Sequence, residues 1–107
     1  MIFSGGTPAT YSDHVLFTLQ KDGPGTLLAS TQYVWYGKVT ARLTASAGVG
    51  IVTDFILVSD SRDEIDFEML GVELESAQTA YYVQGHNVAD CRLRSYDSPI
   101  ELTMLQM

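Results

Sequence analysis

Three acidic residues, Glu64, Asp66 and Glu68, alternate with Ile65, Phe67 and Met69 in the middle of the chain. On an extended strand, residues two apart share a face, so the three acids point one way and the apolar side chains the other. Like charges in a row repel and raise one another's pKa, which suits acid–base and nucleophilic chemistry. A strand rises roughly 3.4 Å per residue, which sets Glu64 and Glu68 about 13–14 Å apart at Cα. Each glutamate reaches about 4 Å from its Cα. Two that lean together bring their carboxyls to about 5–6 Å, close to the roughly 5–5.5 Å of a retaining glycosidase and short of the roughly 6.5–9.5 Å of an inverting one. Asp66, between them, is placed to hold a proton or to orient a neighbour. The pattern E-x-D-x-E is short, and an acidic strand that only blunts a sheet edge carries the same residues.

The elements that must position these acids read as strands. Val15, Phe17 and Leu19 alternate with Leu16, Thr18 and Gln20, and Asp22-Gly23-Pro24-Gly25 reads as a turn. A short strand follows near Thr26 to Thr31. Residues 33–46 alternate most cleanly, with Val39, Ala41 and Leu43 on one face and Lys38, Thr40, Arg42 and Thr44 on the other, as in a half-buried antiparallel strand. Residues 50–59 form an apolar, β-branched run expected in a central strand. Glu64 to Leu70 and residues 77–84 complete the series. Turn signals recur and no amphipathic helix is found, so the expected fold is an all-β antiparallel sandwich. From about Val88 onward the rhythm is lost, and residues 102–107 resemble an unanchored tail.

A chain of 107 residues is one small domain. With 46% hydrophobic and 18% charged residues the composition is globular. A net charge of -7 disfavours nucleic acid and anionic membrane surfaces, but leaves neutral sugars open. Cys91 is alone, so no internal disulfide forms. His14 and His86 lack metal-ligand spacing, and neither metal nor cofactor is expected. No stretch approaches the roughly 18 apolar residues of a membrane span. Met1 to Gly6 lacks the features of a signal peptide, so the protein is intracellular or the chain starts downstream of its natural beginning.

The segment Asp63-Glu64-Ile65-Asp66-Phe67-Glu68-Met69-Leu70-Gly71 resembles the active-site signature of glycoside hydrolase family sixteen. Gly25 to Thr31, Tyr33 to Val39, Val52-Thr53 with Phe55-Ile56-Leu57, Ser59-Asp60, and Gln78-Thr79 with Tyr81 to Gly85 resemble the Crh-type fungal cell-wall transglycosylases, in that family's order. The resemblance spans residues 4–86. It implies a concanavalin-like β-jelly roll with a sugar cleft, and a double-displacement mechanism. Glu64 would be the nucleophile, Glu68 the acid/base and Asp66 the supporting acid. It also implies polysaccharide partners, chitin and β-glucan, with a glycan rather than water taking the transferred chain, and an extracellular, cell-wall location. On this reading residues 1–87 are the N-terminal part of the catalytic domain and residues 88–107 an unmatched tail. The alternatives are an endo-β-1,3(4)-glucan hydrolase and a catalytically inactive carbohydrate-binding fragment.

Two departures matter. Asp54 stands where the resemblance leads one to expect a small apolar residue, an acid that is costly unless it faces the cleft or a partner. A sandwich of this class runs to about 200–250 residues, so the chain is expected to hold an incomplete jelly roll with exposed edges and weak or absent activity alone. Tyr33, Trp35 and Tyr36 suit sugar stacking or ordinary packing. Tyr81, Tyr82 and Gln84 are expected on the strand beside the carboxylates, with the Gln84 amide free to meet a sugar hydroxyl. His86, Lys38 and Arg42 are expected at the surface.

Overall fold

A computed structural model describes residues 2–94 and 100–106. Every regular element in them is a strand, and all pairings are antiparallel. This matches the expected all-β antiparallel class, of which the jelly roll is one form. Among the described residues no helix is long and apolar enough to cross a membrane.

Residues 2–36 and 37–106 are two separate compact units. The first holds β1 (Ile2–Gly5), β2 (Ala9–Thr10), β3 (Val15–Leu16) and β4 (Thr26–Ala29). Here β1 pairs with β4, and β2 with β3. The alternation from residue 15 to 20 predicts a longer strand than β3. Its only partner is two residues long, so Phe17 and Leu19 have no ladder to join and stay exposed.

The second unit holds β5 (Gly37–Leu43), β6 (Val52–Val58), β7 (Glu64–Leu70), β8 (Ser76–Val83), β9 (His86–Arg94) and β10 (Ile100–Gln106). Strands β6-β7-β8-β9 form one sheet in chain order, and β10 pairs with β5. The run at 50–59 is thus an edge strand rather than a central one. Its burial alternates along the strand, with Thr53, Phe55 and Leu57 turned in. Val52, Ile56 and Val58 occupy the open face and make the run look continuous in sequence. The region after Val88, which shows no rhythm in sequence, is also strand: β9 extends the sheet to residue 94, and β10 runs in full register with β5.

The sheet's two faces differ sharply. Met69 and Ala77 are buried on one, with Phe55, Phe67, Leu43 and Ala45 packed around them. β5 supplies Leu43 through the alternation seen in sequence, since Val39, Ala41 and Leu43 are the half-buried positions. Among the described residues Met69 and Ala77 are the only buried hydrophobics. A core this small gives each member a large share of a marginal stability. Met69→Ala should therefore cost about 2–5 kcal/mol, read as a lowered urea midpoint. An unchanged midpoint would show that this cluster does not hold the sheet together.

Candidate active site

β7 carries the acids and is fixed at both ends. At its start, the β6–β7 turn closes when the Arg62 N–H donates to the Ser59 carbonyl (3.0 Å) and the Ser59 N–H to the Asp63 carbonyl (2.9 Å). The Asp63 N–H donates to Ser59 Oγ (3.1 Å), and Ser61 Oγ donates to Asp63 Oδ2 (3.1 Å). The other carboxylate oxygen, Asp63 Oδ1, accepts from the Gln84 N–H (2.9 Å) in the β8–β9 turn. The Gly85 N–H donates to the Arg62 carbonyl (2.8 Å), so two neighbouring turns are tied together just before Glu64. At the far end of β7 the Gly71 N–H donates to the Ile51 carbonyl (2.8 Å), and the Gly71 carbonyl accepts from Gly48 (3.0 Å). A Cβ on Gly71 would meet the backbone of Gly48, so only glycine fits this close approach.

Between these anchors the ladder sets the acids in rows that cross the sheet. Glu64 faces Val58 on one side and Tyr82 on the other. Asp66 faces Ile56 and Ala80, and Glu68 faces Asp54 and Gln78. Directly opposed residues share a face, with Cβ atoms about 4.5–5.5 Å apart. Asp54 is therefore a fourth carboxylate on the acid face, beside Glu68. Sequence parity could not settle this, because the turn at 59–63 intervenes.

The row is costly to ionise fully. Asp66 is only 3% exposed. Its carboxyl is pushed up from 3.8 to about 7, first by burial, then by a hydrogen bond with Glu64 and the charges of Glu64, Glu68 and Asp54. Its Oδ1 is buried without a hydrogen-bond partner. A protonated carboxyl is far cheaper to bury than a carboxylate. Asp66 thus holds a proton near neutral pH and donates it toward Glu64. Part of Asp54 is in solvent, yet its carboxyl is also raised, first by partial burial and then by Glu68 and Glu64.

Beside Glu68 lies an open groove of about 440 Å³ whose lining includes Gln78, Ala80, Tyr82, Asn87 and Asp90. The fold thus brings Glu64, Asp66, Glu68 and Tyr82 together. Gln84 is not on the strand. It sits at the β8–β9 turn with φ at +51°, followed by Gly85 at +82°. Two consecutive positive φ values make a tight hairpin turn of the I′ kind, which the sequence pattern had extended into strand. Trp35 belongs to the first unit and is 85% exposed, so it is not a core residue. Asn87 and Asp90 were missed in sequence because they lie where the alternation fails. Among the described residues no cluster of three or more histidine, cysteine or acidic side chains is arranged to hold a metal ion.

An antiparallel sheet that presents a glutamate pair around a proton-bearing aspartate, next to an open polar groove, has the layout of a glycan-cleaving enzyme. The sequence profile described as "Glycosyl hydrolases family 16" matches residues 1–101, and the chain belongs to that family. It is 43% identical over 99 residues to "Crh-like protein 3" of Botryotinia fuckeliana, covering 92% of this chain and 21% of that protein. It is 49% identical over 80 residues to "Crh-like protein 2" of Aspergillus fumigatus, covering 75% and 18% respectively. To "Congo red hypersensitive protein 2" of Saccharomyces cerevisiae it is 46% identical over 79 residues, covering 72% and 17%. The chain spans about a fifth of the length of these curated relatives. No solved structure matches it.

The raised Asp66 carboxyl links stability to pH. Between 3.8 and about 7 the folded state keeps a proton that the unfolded chain releases. Stability is therefore fully present at low pH and falls as pH rises through that window, by roughly a few kcal/mol at most. Asp66→Asn cannot ionise, so its stability should lack this fall and should match or exceed wild type at pH 8. Urea midpoints at pH 4, 6 and 8 test this. Equal slopes in the two proteins would mean that Asp66 titrates normally.

Proposed function

We propose that this chain carries the catalytic carboxylates of a retaining glycosidase that acts as a transglycosylase on cell-wall polysaccharides. Glu64 attacks the anomeric carbon of the donor glycan while Glu68 protonates the departing glycosidic oxygen. A glycosyl-enzyme ester on Glu64 results. Glu68, now a carboxylate, takes a proton from the incoming hydroxyl of an acceptor glycan. That oxygen displaces Glu64 and restores the original anomeric configuration. Asp66 hydrogen-bonds Glu64 and adjusts its charge through the cycle.

The observation that carries this reading is the buried Asp66 set between Glu64 and Glu68 on one sheet face. A pair of carboxyls flanking the scissile bond is what divides nucleophile and acid roles in a retaining enzyme. Tyr82 beside Glu64 offers a ring for sugar packing. Trp35, in the first unit, is proposed by itself as an exposed ring for stacking on a glycan. A Gln84 amide contact to a sugar hydroxyl would be made from the turn at the end of β8. We further propose chitin or β-glucan as donor, β-glucan as acceptor, and an extracellular, cell-wall setting. These rest on the family and on the Crh-like names of the relatives.

The test is product analysis by mass spectrometry after incubation with chitin oligomers and a labelled β-glucan oligosaccharide. Mixed chitin–glucan chains are expected, absent with Glu64→Gln and reduced about 10²–10⁴-fold with Glu68→Gln. Shortened glucan alone would assign the chain to glucan hydrolysis. No product from the folded protein would favour a binding fragment and overturn the catalytic reading.

A further inference from the structure

Residues three apart fall on opposite faces of a regular strand. Asn87 and Asp90 do not. The β8–β9 ladder shifts between Tyr81 and Tyr82, so Tyr81 faces Ala89 while Tyr82 faces Asn87, leaving Val88 as the extra residue of a bulge. The bulge turns Asn87 onto the acid face, where Asp90 stands opposite Ala80. The two side chains meet there, Asn87 Nδ2 donating to Asp90 Oδ1 at 2.7 Å. Bulges often re-aim a side chain next to an active site.

The row that holds this pair is shaped for a ligand. Ala80, between Tyr82 and Gln78 on the same face and opposite Asp66, has only a methyl group and lines the groove. Asn87 and Asp90 line the groove with Glu68, Gln78 and Tyr82. The acidic wall disfavours anions. The Asn87 amide orients the Asp90 carboxylate, which has about four acceptor positions to offer. The amides of Asn87 and Gln78 each supply both a donor and an acceptor. Adjacent sugar hydroxyls need that mixture, and the Tyr82 ring supplies an apolar wall against a pyranose face.

We infer that the Asn87–Asp90 pair is a hydroxyl-reading subsite for a neutral pyranose unit next to Glu68, and that it helps to select which glycan enters. This deepens the glycosidase reading and rests on it. A site built around hydroxyl hydrogen bonds rejects a sugar that lacks the matching hydroxyl, because its polar groups are then left unpaired.

The test measures binding by calorimetry, in the full chain with Glu64→Gln to prevent turnover. The probes are a β-glucan oligosaccharide, a chitin oligosaccharide, and deoxy forms of each lacking one hydroxyl. Asp90→Ala, Asn87→Ala and the shape-preserving Asp90→Asn should each weaken binding about tenfold or more. At least one deoxy probe should lose no further affinity on Asp90→Asn, since the bond is already missing. Unfolding midpoints of these variants should stay near that of the parent. Tight binding of both intact oligosaccharides by all three variants would overturn the subsite and leave the glycosidase reading standing. So would lowered unfolding midpoints with unchanged affinity, which would make the pair a brace for the bulge. Failure of the folded parent to bind either oligosaccharide would overturn both.

Discussion

The crowding of carboxylates on one face of β7 is the constraint that the rest of the sheet serves. Four acids, Asp54, Glu64, Asp66 and Glu68, share that face across two strands, and the middle one is almost wholly buried. They cannot all be ionised without a large electrostatic cost. The sheet accommodates them by leaving a proton on Asp66, hydrogen-bonded toward Glu64. Such a row gains nothing for stability, so its place in the middle of the sheet points to chemistry.

The surroundings hold that row against its own repulsion. The opposite face supplies adhesion through Met69, Ala77, Phe55 and Phe67. The Asp63 network locks the start of β7 to both neighbouring turns, and Gly71 locks its end against Gly48. With register fixed at both ends, Glu64 must face Tyr82 and Glu68 must face Gln78. A slip of one residue would send every acid into the apolar layer. The same ladder, broken by one bulge on β9, brings Asn87 and Asp90 to the groove beside Glu68. Apolar side chains on the open face of β6 remain exposed, in a chain that spans about a fifth of its relatives' length.

Much of this was legible in the sequence, for a physical reason. Strict period two over Glu64 to Leu70 fixes both the strand and its two faces, and β7 has those bounds. The half-buried alternation of β5 was equally readable. Elements whose character depends on distant partners were not. β6 looks central by composition, but its edge position follows from the pairing order. β3 looks longer than its two-residue partner allows. The turn at Gln84 was hidden because glutamine at positive φ is uncommon. The bulge in β9 erased the alternation that would have revealed Asn87 and Asp90. Asp54 was visible as an anomaly, and only the ladder puts it beside Glu68.

The central claim is that Asp66 holds a proton near neutral pH because burial and Glu64 keep it there. Titrating the Asp66 carboxyl carbon by NMR tests it most directly, in the wild type and in Glu64→Gln. The account predicts a wild-type midpoint near 7, falling in Glu64→Gln as the neighbouring charge and the ionic hydrogen-bond acceptor are removed. A wild-type midpoint in the ordinary aspartate range near 4, unmoved by the substitution, would contradict it.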